Sequence, residues 1–259
     1  MTRPAILVTG GATRIGAAIV TGFAQAGWHA IIHYGTSAEA AEELARSLPS
    51  AEPVQCNLAD DEAASAMIKE LAARLPDWRC LVNSASVFDY DDATDCDPQT
   101  YREAMQVNAL APARMAQAFL AHAKSDHGRV VIQVTDMKIA NPNPDFFSYT
   151  MSKHALAATI PMLAKGAAGP ADRVYGLAPG AILASHDQRE EETEVSHRLN
   201  LLGRKTDVEE IVAAARFLAT RAMRSGASLF VDSGQHLLDQ DRDVIWLARD
   251  KVRAGEGPA

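Results

Sequence analysis

The sequence predicts one doubly wound α/β domain, with a parallel sheet of about seven strands and helices on both faces. Three observations carry this expectation. Short apolar runs rich in Val and Ile alternate with longer amphipathic stretches along nearly the whole chain. The apolar runs are continuous rather than alternating, as strands buried on both faces should be. The first run passes through a glycine-rich turn straight into the first helical pattern.

Taken in order, Pro4 to Val8 reads as a strand. Ile15, Ile19, Gly22, Phe23 and Ala26 then recur at helical spacing, and Gly27 stands where a helix-ending glycine belongs. His29 to Tyr34 is a second strand, and Ser37 is placed to cap a helix running to Leu48. Pro53 to Asn57 reads as a strand and Asp60 to Leu75 as a helix, with Met67, Leu71 and Leu75 on one face. Arg79 to Ser84 is strand-like, and Asp97-Pro98 opens a long helix as a cap followed by proline in the first turn. Arg129 to Thr135 (RVVIQVT) is a strong strand and a helix follows from Phe147. Pro161 inside that helix is expected to kink or end it. Arg173 to Leu177, Asp207 to Thr220 and Ser228 to Val231 complete the series as strand, helix and strand.

Two stretches break the pattern. Ala181 to Lys205 is a long polar connection holding the acidic run Glu190 to Glu194, readable as a solvated helix face or as a lid over a site. The tail after His236 carries Val244 to Ala248, an apolar patch expected to pack on its own domain or a sister subunit rather than on a ligand. It ends in Gly-Glu-Gly-Pro-Ala, expected to fray. No linker rich in Pro, Gly or Ser divides the 259 residues. The expected organisation is one domain over 1–238 with a C-terminal extension, 239–259, partly helical or frayed.

Composition excludes several classes. Apolar residues are 47% and charged residues 22%, ordinary for a globular chain. The net charge of -8 and the lack of any basic run argue against nucleic acid. Cys56, Cys80 and Cys96 are odd in number with no CxxC, so neither a disulfide framework nor a zinc site is expected, and the histidines show no metal-ligand spacing. No run reaches 18 consecutive apolar residues, and MTRPAILVTGG enters a strand without an apolar leader-like segment. The expectation is a cytoplasmic protein with no membrane partner.

The turn Thr9 to Gly16 (TGGATRIG) predicts a dinucleotide. Glycines permit a tight turn and close backbone approach, and a helix N-terminus offers free N–H groups to a pyrophosphate. Gly10 and Gly16 are the important pair. The second strand ends His33-Tyr34-Gly35-Thr36-Ser37 without the acid that would take a ribose 2′-hydroxyl. Thr36 and Ser37 offer hydroxyls and Arg14 a cation, so a 2′-phosphate, hence NADPH, is favoured over NADH.

Tyr149 and Lys153 (YTMSK) lie four apart on a predicted helix and so on one face. An ammonium near the phenol favours the phenolate and brings tyrosine into range for acid/base work.

With TGGATRIG, CNLAD, LVNSAS, VNALAP, YTMSK, LAPG and LFVDSGQHL in place, the chain resembles the short-chain dehydrogenase/reductase family over residues 4 to 238. The resemblance implies a Rossmann-type fold. It also implies Asn108, Tyr149 and Lys153 as catalytic residues: Tyr149 exchanging a proton, Lys153 holding the nicotinamide ribose and lowering the tyrosine pKa, Asn108 supporting a water relay. It implies NADPH/NADP+ contacts at Gly10, Arg14, Ile15, Gly16, Tyr34, Thr36, Ser37, Asn57, Leu58, Asn83, Ala85, Tyr149, Lys153, Pro179 and Gly180. Pro179-Gly180 is expected to shape the loop near the nicotinamide. In the family the Tyr149 helix usually builds a subunit interface, so a homodimer or homotetramer is expected.

The departures narrow the resemblance. Most of the family has glycine in place of Arg14, serine in place of Asp136, and Asn-Asn-Ala-Gly where this chain has Asn83 to Ser86. Arg14, Asp136 and Ser86 are similar to the pteridine reductase branch, including dihydromonapterin reductases. That branch also has an aromatic where Phe88 stands, stacking on the pterin. HYGTSAEA resembles its adenosine-phosphate segment, with Thr36 in place of an arginine. An ionised Asp136 would repel a ketone oxygen but accept from N–H groups, or when protonated deliver a proton to a ring nitrogen. Asp136 beside Tyr149 should also have perturbed ionisation. Asp136 thus joins the catalytic set, and Arg14, Ser86, Phe88, Asp136 and Tyr149 are the expected contacts of a small pterin-like substrate. Three functions follow from these residues: NADPH-dependent reduction of a dihydropterin or dihydrofolate C=N bond, NADP-dependent reduction of a 3-oxoacyl or sugar ketone, and NADP sensing without chemistry. Phe88 as plain core and Asp136 paired to Lys138 are the structural alternatives.

Overall fold

The computed structural model describes residues 2–185 and 187–255, so of the expected frayed end Glu256 to Ala259 lies outside the described residues, as does His186. Seven strands, β1 (Ala5–Thr9), β2 (His29–Tyr34), β3 (Ala51–Gln55), β4 (Trp78–Asn83), β5 (Val130–Val134), β6 (Arg173–Pro179) and β7 (Ser228–Val231), form one sheet in the order β3-β2-β1-β4-β5-β6-β7. Every pairing is parallel. The doubly wound α/β fold follows, with helices covering both faces.

Strand residues divide by their period of two. Leu7, Ile31, Leu81, Val131 and Val174 enter one core, covered by α3 (Asp61–Arg74), α5 (Ala111–His122) and α6 (Phe147–Gly166). Ile6, Val8, Ile32, Val82, Ile132 and Tyr175 enter the other, covered by α1 (Arg14–Gln25) and α8 (Val208–Ala219), with residues of α2 (Ala38–Ser47) packed against it. Burial on both faces explains why the sequence runs are continuously apolar.

Local chemistry sets the helix ends. Gly27 at φ +89 closes α1. Asp60 accepts from the Glu62 and Ala63 N–H groups at the start of α3, and Asp97 does the same for α4 (Pro98–Met105) through Gln99 and Thr100. Ser37 stands at the start of α2, but its hydroxyl makes no capping bond. The helix opened by Asp97 passes through a π-helical turn, Gln106–Leu110, before α5. α6 does not end at Pro161; it continues to Gly166, its buried Leu156, Ile160 and Leu163 holding it to the core despite the missing donor.

Two expectations need correction. β3 lies two residues earlier than expected, because its register is set by Ala30 pairing with Ala51, and Pro53 is tolerated on an edge strand. The 181–205 connection contains a helix, α7 (Glu190–Ser196), and its acidic run is only partly a solvated face: Glu192 is buried against Arg189, and Glu194 bonds Lys205. The C-terminal extension forms α9 (Val244–Arg253), which packs on α7. No helix among the described residues is long and apolar enough to cross a membrane.

Candidate active site

Because all strands run the same way, their C-terminal ends meet at one edge of the sheet. A cavity of about 350 Å³ opens there, lined by the glycine turn, the loops after β4, β5 and β6, the start of α6, the α7 region and the start of α9.

The turn after β1 is built for close approach. Gly10 has φ +62, and a Cβ there would lie 3.0 Å from the Ala85 Cα. A Cβ on Gly16 would lie 2.1 Å from the Gly10 carbonyl oxygen. No acidic residue occupies the first turn of α1, so its N–H groups and partial positive charge remain suited to a pyrophosphate. Arg14 lines the cavity with φ +52, a conformation that favours glycine and accounts for glycine being usual there. Its guanidinium meets the Leu183 carbonyl. Two residues to which the sequence reading gave no role hold the turn. Buried His33 accepts from the Gly10 N–H at 3.2 Å and bonds the Cys56 carbonyl at 3.1 Å, tying three strand ends together. Thr9 Oγ1 accepts from the Ser84 and Ala85 N–H groups.

Of the expected cofactor residues, Gly10, Arg14, Ile15, Gly16, Ala85, Tyr149, Lys153, Pro179 and Gly180 line the cavity. Tyr34, Thr36, Ser37, Asn57, Leu58 and Asn83 do not line it. Thr36 and Ser37 are exposed just beyond β2. Asn57 closes its own turn by accepting from Ala59 N–H, and Leu58 is in the core. Asn83 is buried with its amide bonded to the Gln133 side chain and the Pro112 carbonyl, so its side chain does not face the cavity.

The expected reacting groups converge. Tyr149 Oη donates to Asp136 Oδ2 at 2.7 Å, and the Lys138 N–H donates to Oδ1 at 2.9 Å. Lys153 Nζ donates to the Val134 carbonyl at 3.0 Å and lies 5.5 Å from the Tyr149 ring centre. Removal from water raises the Asp136 pKa against its hydrogen bonds and the nearby Lys138 and Lys153 charges. Burial, then the Asp136 charge, pushes Tyr149 well above its ordinary value. Burial brings Lys153 down to about 8. The expectation that Lys153 lowers the tyrosine pKa is therefore corrected: the dominant partner of the phenol is a carboxylate, not the ammonium.

Asn108 lies in the π-helical turn, where its amide donates to the Val87 carbonyl and Ser152 Oγ and accepts from the Val87 N–H. It does not line the cavity; it clamps the Ser86–Phe88 loop to α6. Ser86 and Phe88 do line it. Phe88 stacks on Phe146 at 4.1 Å and meets Tyr149 edge-on at 4.6 Å, a small aromatic wall.

The C-terminal extension supplies a wall that sequence reasoning missed. Asp243, Val244 and Ile245 line the cavity, and Ile245 packs with Phe146 and Tyr149. Lys138 meets Asp136 through its backbone N–H alone; its buried ammonium instead bonds Asp243 Oδ2 at 2.8 Å and the Asn143 side chain at 2.7 Å. Asp145 holds Arg242 and the Asp243 N–H. The apolar patch packs on its own domain, on α7 and against Phe146 and Tyr149, and the charged cluster also brings its first residues, Val244 and Ile245, to the cavity wall. Its only sequence signal is a run of charged residues just before an amphipathic stretch.

The parallel sheet, the glycine turn and the Tyr149–Lys153 helix together define a dinucleotide-using oxidoreductase. The family model described as enoyl-(acyl carrier protein) reductase matches residues 10–236, and the chain belongs to the short-chain dehydrogenase/reductase family. It is similar to galactitol 2-dehydrogenase (L-tagatose-forming) of Cereibacter sphaeroides, 32% identical over 88% of this chain and 92% of the relative. Dihydromonapterin reductase of Citrobacter koseri is 25% identical over 90% of this chain and 96% of the relative. The solved structure of FolM alternative dihydrofolate reductase 1 from Brucella canis, complexed with NADP, superposes with a TM-score of 0.85 at 32% identity. It covers 93% of this chain and 96% of that one.

Proposed function

We propose that the protein is an NADPH-dependent reductase of a dihydropterin or dihydrofolate C=N bond. The observation that carries this reading is Asp136, a carboxylate with a raised pKa bonded to Tyr149 Oη at 2.7 Å inside the cavity. The NADP-complexed Brucella structure and the dihydromonapterin reductase similarity support it. The glycine turn fits a dinucleotide, since Cβ atoms at Gly10 and Gly16 would strike the Ala85 and Gly10 backbone and open the tight turn that presents the α1 N-terminus.

Reducing a C=N bond adds a hydride to carbon and a proton to nitrogen. NADPH, when bound, supplies the hydride. The Asp136–Tyr149 pair manages the proton: a carboxyl with a raised pKa carries one nearer neutrality and gives it to the ring nitrogen, and the phenol hydrogen-bonds the carboxylate left behind until solvent returns the proton. The ionised form of Asp136 accepts from ring N–H groups and positions them. Lys153 orients the cofactor's ribose while its ammonium is held by the Val134 carbonyl. Phe88 gives a flat ring an apolar surface. Asn108 positions the Ser86–Phe88 loop without touching the reacting atoms.

The test is NADPH oxidation with dihydropterin and dihydrofolate beside a panel of ketones. Turnover of the pterin substrates supports the reading; brisk ketone turnover with none of any pterin overturns it. The similarity to galactitol 2-dehydrogenase favours carbonyl chemistry as the second reading. Under the first reading, Asp136→Ser raises ketone turnover, because it replaces a repelling charge with a hydroxyl donor.

A further inference from the structure

The two residues that handle the proton come from different segments of the chain. Asp136 follows β5, and Tyr149 stands near the start of α6. Each segment is anchored by a buried charge, and both charges are answered by neighbouring residues just before α9, Arg242 and Asp243.

Asp136 is held through Lys138. The Lys138 N–H donates to Asp136 Oδ1 at 2.9 Å, and the Lys138 carbonyl accepts from His154 Nε2 on α6 at 3.2 Å. The Lys138 ammonium is buried, and among the described residues its carboxylate partner is Asp243, at 2.8 Å. Tyr149 is held through Asp145. The buried Asp145 carboxylate accepts twice from the Arg242 guanidinium and once from the Asp243 N–H, each at 2.8 Å. The next residue, Phe146, opens α6 with φ +54. A bulky side chain in that conformation is strained and persists only where its surroundings hold it. The stack on Phe88 holds its ring, and the anchored Asp145 holds the chain just before it. The Lys138 ammonium also donates to the Asp145 carbonyl at 3.3 Å, so the two arms meet.

The same charges bear on the ionisation of the acid. Burial raises the Asp136 pKa, while its bonds from Lys138 N–H and Tyr149 and the Lys138 and Lys153 charges oppose the rise. With Asp243 beside it, the Lys138 ammonium has a counter-charge of its own and weighs less on Asp136. Without Asp243, a buried ammonium two residues from Asp136 has none. It then favours the ionised carboxylate, which has no proton to give.

We propose that Arg242 and Asp243 are positioning residues, a clamp that holds Asp136 and Tyr149 in the geometry that passes a proton to the substrate. The inference rests on the reductase reading and deepens it, because it adds residues that act through the acid rather than on the substrate. The clamp grips both arms from one dipeptide: Asp243 takes Lys138, and Arg242 takes Asp145.

The experiment is steady-state dihydropterin reduction by NADPH in the wild type, Arg242→Gln, Asp243→Asn, Asp136→Asn and the Asp136→Asn/Asp243→Asn double variant. The Arg242 side chain is 45% exposed, so its replacement guards against Asp243→Asn failing to fold. In both clamp variants kcat is expected to fall about tenfold to a hundredfold, the effect of displacing a reacting group by about an ångström. NADPH affinity, read by fluorescence titration, should hold, because the glycine turn takes no part in the clamp. The kcat of Asp243→Asn should fall off at lower pH than that of the wild type, because its Asp136 loses the proton sooner. In the Asp136→Asn background, Asp243→Asn should cause no further loss, since residues that act through one group do not add. Unchanged kcat in both clamp variants overturns the clamp and leaves the reductase reading intact. So does a double variant that loses the full product of the two single losses. If the wild type reduces no pterin, the reductase reading fails and this inference fails with it.

Discussion

The phenol of Tyr149 donates a 2.7 Å hydrogen bond to Asp136, while Lys153 four residues along the same helix turns its ammonium to the Val134 carbonyl. In the proposed reaction the acid of this site is thus a carboxyl–phenol pair. Tyr149→Phe removes the hydroxyl with little change in volume. It is expected to lower kcat by about two to four powers of ten, the usual worth of a positioned proton donor. An unchanged kcat would remove Tyr149 from proton transfer.

The pH profile should show Lys153 separately. Its pKa is lowered to about 8, so its charge is present below that pH and is lost above it. Activity should therefore fall as pH rises through about 8. Lys153→Arg, which stays charged at any accessible pH, should move that alkaline limb upward even if its overall rate is lower. The kcat/KM profiles of the two proteins decide this, and coincident limbs would assign the titration to another group.

His33 predicts an acid limit to stability. Its pKa is lowered from 6.5 to about 4 by burial, so the unfolded chain takes up a proton below 6.5 while the folded chain does not until about 4. The stabilising difference is fully present above 6.5 and is lost as pH falls towards 4, amounting to roughly 3 kcal/mol. Urea midpoints of wild type and His33→Gln, measured from pH 7.5 to 4.5, should show a shallower decline in the variant.

The glycine turn gives a paired test. Gly16→Ala places a Cβ 2.1 Å from the Gly10 carbonyl oxygen and must move the turn, whereas Gly35→Ala enters open space. NADPH affinity, followed by fluorescence titration, should weaken at least tenfold in the first and hold in the second. Equal affinities would show that the turn does not cradle the phosphates.

The Lys138–Asp243 pair should be costly to break from one side. Asp243→Ala leaves the 3% exposed Lys138 without its carboxylate, at a cost of about 3–5 kcal/mol, while Lys138→Met with Asp243→Leu should recover much of it. Denaturant unfolding of the single and double variants measures the coupling. Additive losses would show that the two side chains are not coupled.

Most of the fold was legible because buried parallel strands write themselves as apolar runs, and β2, β7 and the start of α6 lie where those runs place them. β3 was misplaced because the limits of an edge strand are set by its neighbour, not by its own side chains. The pairing of Tyr149 with Lys153 followed from helical spacing, and the place of Asp136 beside them from the family resemblance. The perturbed ionisation of Asp136 was expected from its neighbour, but the upward shift of Tyr149 was not, because burial outweighs the nearby ammonium and spacing reveals only proximity. His33 and Thr9 were missed because a strand residue facing inward reads as core whatever bonds it makes. The Asp243 wall was missed because no local pattern connects residue 138 with residue 243.

That last contact has a consequence for how the molecule assembles. The glycine turn is closed by residues from the first third of the chain, Gly10, His33 and Cys56, joined over short sequence separations. The substrate wall must wait for residues 243 to 245 to return across the sheet. Contacts over long separations are entropically slower to form. The glycine turn should therefore close early, whereas the chamber beside it is complete only when the C-terminal end of the chain has docked.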